Sequence, residues 1–523
     1  ESLTEGQTNF LRQYLQLGEL HTAFLHQLEL RQQGYSGLLA RKAAESSKKH
    51  AYAHVFVAGM SALTPAETKF LKRYDKSQQL TWIWDADRSY VDQAEVEAGL
   101  FIRAHFENNS TSPNTLPNRL ATTPPSIIEV NCNSTILQCQ YIREEVSKLS
   151  KEERARTAII LPDGRQLPLL LQSLPEGLQD HYNVTMGLSW SDTPARSFLR
   201  TLQQILRRDQ GSLHHEDIRN LLSEPLLMQA HPELEFRSDA ADVLNKMAKN
   251  KWAWVSRNQL NELSSGPVRA FFTELDTLST KDARNWLEAL STWTQELGSL
   301  LESSDSSDPW TEVGWEKVIQ AVGVAVQFER HHAVLQDRED AWSFLFNGLQ
   351  SERIDLLGEP EEGLQIMGLI ESRALDYDRI YIMDCNEGTL PKSAPRDSFI
   401  PFDLRHELEL PGRHEREAIF AYYTYRLLNR SQEVHFLYRG KDEASEKSRY
   451  LLQFERSFRP NGEDLLPLER KEVYAPVPGK RPTIQSLHWS TWSQQKLIRW
   501  SQKGISPSAW NTFMACKRDF YYK

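Results

Sequence analysis

The fold is decided by residues 363–440. They begin Gly363-Leu-Gln-Ile-Met-Gly-Leu-Ile-Glu-Ser-Arg-Ala-Leu-Asp-Tyr377, continue Ile380-Tyr-Ile-Met-Asp-Cys-Asn-Glu-Gly388, and include a tyrosine- and arginine-rich segment that ends at Arg430. The two short apolar runs, bounded by polar turns, are typical of buried strands, and the last segment is predicted to be a helix. Strands that alternate with helices predict a parallel sheet covered by helices. We therefore predict an α/β fold around this stretch.

Further strand patterns lie before a long helical stretch. The predicted strands are His54–Gly59, Leu80–Asp87, Ile127–Asn131, Thr157–Leu161 and His181–Gly187. From about residue 190 to 350 the sequence shows amphipathic helical patterns rich in Trp and Leu, and no strand pattern. Because the α/β pattern resumes at residue 364, we predict one α/β domain made of residues 126–187 and 351–455, interrupted by a helical subdomain at 188–350.

The remaining segments are assigned around this domain. Residues 1–50 carry helical patterns, and residues 51–125 hold a strand–helix–strand unit followed by a polar, proline-bearing linker. Residues 456–504 are poorly periodic and contain five prolines from Pro460 to Pro482, so we predict a connector there. A new helix is predicted to begin near Ser506, which separates residues 505–523 from the connector.

The composition is that of an ordinary globular protein. For 523 residues with 40% hydrophobic and 25% charged content, about three or four domains are expected, and no apolar run long enough for a membrane span is present. The four cysteines lack paired C-x-x-C spacing, which favours a reducing, cytoplasmic location. A net charge of −10 leaves nucleic-acid binding open, because basic residues can be confined to a channel. Since the chain begins at Glu1 and stops at Lys523 within an element, we expect a fragment.

Motifs for nucleotide and metal chemistry are absent or incomplete in the sequence. No Gly-x-x-x-x-Gly-Lys-Ser/Thr loop is present, so these residues hold no complete ATP site of the P-loop kind. His-Glu-x-x-His is absent as well. Asp85 and Asp87 end a predicted strand, where carboxylates could either bind a metal ion or lie in a solvated loop. Both interpretations stay open at this point.

The central stretch resembles two motifs of superfamily 1 helicases of the RecB type. The fifth helicase motif reads roughly Gln-x-Met-Thr-x-His-x-Ser-Lys-Gly-Leu-Glu-Phe, and the corresponding residues are Gln365, Met367, Ser372, Arg373, Leu375, Asp376 and Tyr377. Asn386-Glu387-Gly388 matches the strand end that follows that motif. Tyr425-Arg-Leu-Leu-Asn-Arg430 resembles the sixth motif, whose arginine, here Arg430, reaches the γ-phosphate of ATP held by the other RecA-like domain.

A closer resemblance is to the AddB-like group of PD-(D/E)XK nuclease-family proteins, which carry a decayed helicase ahead of a nuclease. It extends over residues 157–163, 183–187 and 192–195 and over the terminal segment 505–521. It implies RecA-like parallel-sheet domains with large helical insertions. Residues 1–50 would then be an insertion of the first domain, residues 51–125 its remainder, and residues 505–523 the truncated start of the nuclease.

The same resemblance implies DNA end processing in recombinational repair, and no catalytic residue within these 523 residues. The implied partners are single-stranded DNA or duplex ends and a helicase–nuclease partner subunit, without a membrane. ATP and Mg²⁺ are implied for the whole protein, and an iron–sulfur cluster is a further candidate. The implied site residues are Arg430, Asp376 and Glu387 for a degenerate nucleotide site, Ser372, Arg373 and Tyr377 for DNA, and Cys516 for the cluster.

Plainer interpretations compete with several of these roles. Arg426 and Arg430, one helical turn apart, could lie on a solvated helix face, and Tyr377 could simply pack in the core. One thiol cannot hold a cluster, so a plain buried cysteine is the alternative, and the preferred interpretation, for Cys516.

Departures from the motif of active helicases indicate that the ATP-driven motor activity has been lost. Gly368 and Ile370 replace Thr and His, Ala374 replaces Gly, and Asp163 stands where active relatives often carry a phosphate-binding arginine. We therefore expect a helicase-like DNA-binding scaffold with a decayed ATP motor. Two alternatives stay open: an active ATP-dependent helicase–nuclease with a P-loop upstream of Glu1, and a protein-interaction scaffold that does not touch DNA.

Overall fold

The computed structural model describes residues 4–46, 52–75, 80–108, 116–175, 182–208, 211–279, 282–304, 309–354, 363–392, 400, 402–408, 410–440, 446–457 and 468–473, and then 494–495, 497–498, 501–502, 504, 506–516 and 520. The chain divides into two compact units, Glu1–Val473 and Tyr474–Lys523. All of the strands described here belong to the first unit.

The strands of the first unit are β1 (Val55–Ala58), β2 (Leu80–Ile83), β3 (Ser126–Cys132), β4 (Thr157–Ile160), β5 (Tyr182–Val184), β6 (Leu188–Ser189), β7 (Ser212–His214), β8 (Trp254–Ser256), β9 (Arg353–Ile354), β10 (Leu364–Met367), β11 (Arg379–Ile382), β12 (Glu433–Arg439) and β13 (Leu468–Val473). Seven of them form an all-parallel sheet in the spatial order β13-β3-β12-β11-β4-β10-β5. The sheet takes strands from both sides of the long helical stretch, so the chain is an α/β protein, as the sequence predicts.

The helices are α1 (Glu5–Leu30), α2 (Ser36–Glu45), α3 (Pro65–Asp75), α4 (Arg88–Val91), α5 (Leu100–Asn108), α6 (Arg119–Thr122), α7 (Thr135–Ser147), α8 (Lys151–Ala155), α9 (Leu167–Ser173), α10 (Pro194–Arg208), α11 (His215–Leu222), α12 (Pro225–Ala230), α13 (Leu234–Asn250), α14 (Arg257–Leu263), α15 (Gly266–Thr277), α16 (Ala283–Glu302), α17 (Pro309–His332), α18 (Arg338–Leu349), α19 (Phe402–Glu407), α20 (Arg413–Leu428), α21 (Arg449–Ser457) and α22 (Pro507–Ala515). Several begin at side-chain caps, such as Ser134 before α7 and Ser150 before α8.

The seven-stranded sheet is buried on both faces. Successive side chains of β11 enter different cores, with Ile380 and Ile382 on one face and Tyr381 on the other. Helices α20 and α21 cover the first face, and α7 and α9 cover the second. Because both faces are covered, β4 and β10 are buried along their whole length, and their sequences are apolar except for Thr157 and Gln365.

The helical stretch forms a core of its own between β6 and β9. Its largest fully buried side chains are Trp190, Trp286, Trp315 and Trp342. The antiparallel pair β6–β9 joins the two ends of this stretch, with Leu188 opposite Ile354. The Trp190 amide also donates to the Glu352 carbonyl at 3.0 Å. The helical segment therefore leaves and re-enters the α/β domain at one place.

Two strand assignments differ from the sequence-based expectation. Leu468–Val473, within the predicted connector 456–504, forms edge strand β13 beside β3. Its four consecutive charged residues, Glu469 to Glu472, resemble a loop in sequence, but an edge strand can expose such side chains to water. Within the segment expected to lack strands, Ser212–His214 and Trp254–Ser256 pair as a short antiparallel ribbon. Three-residue strands are too short to give a recognisable alternation.

Residues 52–75 and 80–108 form a smaller α/β arrangement beside the large sheet. β1 and β2 pair in parallel, with Val55 opposite Leu80, and α3 connects them. This matches the strand–helix–strand unit predicted from the sequence. The N-terminal helix α1 exposes several large apolar side chains: Phe10, Leu11, Leu15, Leu17, Leu20, Phe24 and Leu30.

The second unit contains α22, which begins after the cap Ser506, whose Oγ accepts from the Ala509 amide at 3.2 Å. A helix in this region is the element that the sequence predicts. Among the residues with described structure, no helix is both long and apolar enough to cross a membrane.

Candidate functional site

The arginines of the resemblance lie at the edge of the sheet where the parallel strands begin. Helix α20 connects β11 to β12, so Arg426 in its last turn and Arg430 just beyond it are close to the start of β12. Asp376 immediately precedes β11 at the same edge. Asp85 comes from a different part of the chain, directly after β2. These four side chains form one cluster, which we call the arginine–aspartate cluster.

Arg426 is the buried centre of this cluster, with only 3% of its side chain exposed. Its Nε lies 2.6 Å from Asp85 Oδ2, and its Nη2 lies 2.6 Å from Asp376 Oδ1. Its Nη1 donates to the Leu375 carbonyl. Tyr422, one turn earlier on α20, donates its hydroxyl to the Asp85 carbonyl at 2.9 Å. Arg426 therefore ties the segment after β2 to the start of β11.

Arg430 lies at the solvent side of the cluster, with half of its side chain exposed. Its Nη1 lies 2.7 Å from Asp376 Oδ2, so Asp376 binds both arginines. This hydrogen bond raises the pKa of Arg430 above its ordinary value. The structure thus brings together Arg430 and Asp376, two of the three residues expected at a nucleotide site. Two arginines and two aspartates carry no net charge, which leaves no surplus of positive charge for a triphosphate and fits ATP poorly.

Glu387 lies at the opposite edge of the sheet, after the end of β11. Both of its carboxylate oxygens contact the Arg449 guanidinium, at 2.9 Å for Nη2, and it also accepts from the Arg449 amide at 2.6 Å. Arg449 further contacts Glu417 at 3.2 Å, and the bonds to Glu387 raise the pKa of Arg449. Glu387 therefore fixes the start of α21, and the structure does not bring it to Arg430.

The three residues expected to contact DNA have different surroundings. Ser372 is fully buried and donates its hydroxyl to the Leu369 carbonyl at 2.7 Å, so it closes a turn. Tyr377 is partly buried and packs against the core beneath α20, where burial raises the pKa of its hydroxyl. Arg373 is exposed, and its Nη2 lies 2.9 Å from Met60 Sδ in the loop after β1. Of the three, Arg373 has the exposure that a phosphate contact requires.

Ala374 shows why a glycine suits this turn: its φ of +59° lies in the left-handed region. Placing a side chain in that region costs the folded state about 1–2 kcal/mol. This cost is larger than the stability lost because glycine makes the unfolded chain more flexible than alanine does. We expect Ala374→Gly to raise the free energy of unfolding by about 0.5–1 kcal/mol, as measured by urea denaturation. Ala241→Gly, at an exposed position within α13, should instead lower it by about 1 kcal/mol. A lower stability of Ala374→Gly would contradict this account.

The two aspartates considered as metal ligands both have partners within the chain. Asp85 binds Arg426, and Asp87 is fully buried as the cap of α4. Asp87 accepts from the amides of Ser89 at 3.0 Å and of Arg119 at 2.6 Å. In the described part of the chain, no group of three or more His, Cys, Asp or Glu side chains is arranged to hold a metal ion. Ser89 is a local partner, two residues from Asp87, whereas Arg119 and Arg426 lie far along the chain and no local pattern predicts them.

A second polar cluster, not predicted from the sequence, lies where β4, β11 and β12 end. Asp384 is buried there with a left-handed φ of +47°, and burial raises the pKa of its carboxyl group. It accepts from the side-chain amides of Gln138 and Gln166 and contacts Arg439 Nε at 3.2 Å. Since these partners come from α7, from the turn after β4 and from β12, Asp384 holds together the elements at this edge.

The position expected to carry a phosphate-binding arginine has its own ion pair. Asp163 follows β4, and Arg165, two residues later, contacts both of its carboxylate oxygens, with Nη2 2.5 Å from Oδ2. This interaction keeps the pKa of Asp163 below its usual range. An arginine is thus present near the expected position, but its charge is already matched.

Cys516 is exposed at the end of α22, so the preferred interpretation as a plain buried cysteine is wrong. The helix is short and ends at this residue, which leaves the thiol without a covering element among the neighbours that are described. The other cysteines, Cys132, Cys139 and Cys385, are buried. Burial raises the pKa of their thiols, to about 12 for Cys132 and about 11 for Cys139. Among the residues whose structure is described, none join Cys516 in a set that could hold a cluster.

Comparison with models of known protein families and with curated proteins finds no match for this chain.

Proposed function

We propose that this chain is the helicase-like, DNA-binding scaffold of an AddB-like protein that acts in DNA end processing and recombinational repair in the cytoplasm. In this proposal the large sheet is the core of a second RecA-like domain, and residues 52–108 belong to a first one. The all-parallel sheet and the single exit and entry point of the helical segment support this assignment. The RecA-like domains retain the helicase fold as a scaffold but no longer bind or hydrolyse ATP.

The arginine–aspartate cluster carries the proposal. In a motor, an arginine at this place would be available to the γ-phosphate, and ATP would draw two domains together. Here Asp376 already matches Arg430, and Arg426 links Asp85 to Asp376 without any ligand. Internal ion pairs thus hold the geometry that a nucleotide would otherwise stabilise. A nucleotide that gains no additional contact in the closed state cannot shift the equilibrium toward it.

The proposal predicts that ATP has no effect on this chain. Addition of ATP with Mg²⁺ should change neither the melting temperature nor the affinity for single-stranded DNA, because Arg430 is already paired. Differential scanning fluorimetry and fluorescence anisotropy measure the two quantities. The same two measurements are made on Asp376→Asn, which removes the charge that neutralises Arg430, and are compared with those on the wild-type chain. If ATP stabilised the wild-type chain and Arg430→Ala abolished that effect, the active-motor alternative would hold instead.

The DNA-binding part of the proposal rests on Arg373, which is exposed on the turn after β10. We expect Arg373→Glu to weaken binding of a single-stranded oligonucleotide about three- to tenfold at low salt, because a phosphate contact becomes a repulsion. Arg284→Glu, the same charge change on the exposed surface of the helical segment, should have little effect. The affinity of the wild-type chain should fall steeply as salt rises. Equal losses in both variants would mean that only net charge matters.

A second candidate function, a protein-interaction scaffold, is favoured by helix α1. This helix exposes apolar side chains such as Phe10, Leu15, Leu20 and Phe24, each by half or more. Large apolar side chains exposed in this number on one helix are typical of a surface that binds another protein. Absence of any binding to single-stranded oligonucleotides at low salt would favour this candidate over the first.

A further inference from the structure

A cavity of about 210 Å³ lies beside the small parallel pair β1–β2. One water occupies roughly 10–15 Å³ of such a cavity, so this one has room for on the order of ten non-hydrogen atoms. Its walls come from the loop after β1, from α3, from β2 and from α5. It therefore has the size of a site for one planar ring system such as a nucleobase.

The walls of the cavity are aromatic on one side. Trp82 and Trp84 are stacked, with ring centroids 5.1 Å apart and planes 8° from parallel. His105 of α5 meets both rings edge-on, at 4.4 Å and 4.6 Å between centroids. Phe101 of α5 also lines the cavity. Flat aromatic surfaces of this kind bind nucleobases through their π-faces, whichever base is presented.

The charges around the cavity favour an anionic ligand. None of the described residues that line it is an aspartate or glutamate, although the whole chain carries a net charge of −10. Lys72 of α3 is exposed and belongs to the lining. Met60 at the rim lies against the guanidinium of Arg373, with 2.9 Å between Sδ and Nη2. Two cations thus flank an aromatic cavity, which matches a base attached to a phosphodiester backbone.

We propose that this cavity binds one unstacked base of single-stranded DNA, which stacks against Trp84 while Lys72 and Arg373 meet the neighbouring phosphates. This inference rests on the proposed DNA-binding function and adds to it a defined subsite. Because stacking is tolerant of sequence, the subsite would hold a strand without selecting its bases.

The test combines a substitution with removal of the bases. The probe is a single-stranded oligonucleotide of about 15 nucleotides, used either intact or with abasic positions at its centre, and its binding to the 523-residue chain is measured by fluorescence anisotropy. The intact probe should bind wild type about tenfold more tightly than the abasic probe, as expected for loss of base stacking. In Trp84→Leu the two probes should bind equally, while the affinity for the abasic probe stays at the wild-type value.

Lys72→Glu separates the phosphate contact from the base contact. It should lower the affinity for both probes by the same factor, about three- to tenfold, so that the ratio of the two affinities stays unchanged. Lys69→Glu, one turn away on α3 and outside the cavity, makes the same charge change and should cost clearly less. Both lysines are exposed, so neither variant is expected to disturb folding, which thermal melting verifies.

A fluorescent base analogue gives an independent readout. 2-Aminopurine at the centre of the probe should be quenched on binding to wild type, because it stacks on an indole ring, and should remain bright with Trp84→Leu. Equal binding of intact and abasic probes by the wild-type chain would overturn the base subsite while leaving DNA binding intact. Failure of wild type to bind either probe at low salt would overturn the proposed function itself. If the intact and abasic probes bound equally well, and an aromatic peptide bound to the cavity, the cavity would be assigned to a protein partner.

Discussion

Replacement of Arg426 by alanine is expected to lower the free energy of unfolding by about 3–5 kcal/mol, the cost of breaking a buried ion pair by removing one partner. Arg426 is almost completely buried and binds Asp85 and Asp376. Its removal leaves Asp85, which is 17% exposed, as a poorly solvated carboxylate without its cation. The loss should appear as a lower urea midpoint, followed by circular dichroism.

Arg430→Ala is the matched control for this prediction. Arg430 contacts the same carboxylate, that of Asp376, but half of its side chain is exposed. Ion pairs at such positions contribute roughly 0–1 kcal/mol, so the loss of stability should be several times smaller. Arg426→Lys keeps the charge but not the planar fork that reaches two carboxylates, and it should recover only part of the loss. Similar stabilities for Arg426→Ala and Arg430→Ala would contradict a structural role for Arg426.

Asp87→Ala is expected to cost about 3 kcal/mol, because it removes the acceptor of three backbone amides at once. The carboxylate accepts from Ser89 at 3.0 Å, from Arg119 at 2.6 Å and from Leu120 at 3.4 Å, and it is fully buried. Asp87→Asn keeps one acceptor oxygen and should lose about half as much. The comparison is made by urea denaturation, with circular dichroism as the signal.

Asp92→Ala provides the control, since Asp92 pairs with Arg88 on the same short helix but both side chains are about 40% exposed. Its cost should stay within about 0.5 kcal/mol. The same experiment tests the metal-ligand interpretation of the acidic pair after β2. Stabilisation of the wild-type chain by Mg²⁺ that Asp87→Ala abolishes would restore that interpretation; an unchanged midpoint supports a capping role.

The sequence predicts the α/β core because each strand carries its own local signal. β4, β10 and β11 are apolar runs bounded by turns, and they lie where the pattern predicts. The edge strand β13 could not be recognised, because a run of four charged residues is typical of a loop as well as of a solvent-facing edge strand. Local pattern therefore identifies the buried strands and misses the exposed one.

The candidate site could be predicted only in part. The resemblance to helicase motifs assigns Asp376 and Arg430 to the same site, and in the structure they form an ion pair. The partner that matters most for Arg426, Asp85, lies 341 residues away in sequence, and no local rule connects two such positions. Asp87 likewise accepts from the amide of Arg119, which lies 32 residues away in sequence. Side-chain pairs between distant parts of the chain depend on the topology of the fold, which the hydrophobic periodicity of the sequence does not encode.

The two-residue pair β6–β9 has a consequence for the order of folding. Strands β5 and β10 are neighbours in the sheet, yet Asn183 and Gln365, which hydrogen-bond between them at 2.8 Å, are 182 residues apart in sequence. Closing a flexible loop of that length costs on the order of 4–5 kcal/mol in chain entropy. The helical segment is rich in local contacts, which form fast, and its closure brings Leu188 beside Ile354. We therefore expect the helical segment to assemble before β10 pairs with β5, and to gain protection from hydrogen exchange before that edge of the sheet during refolding.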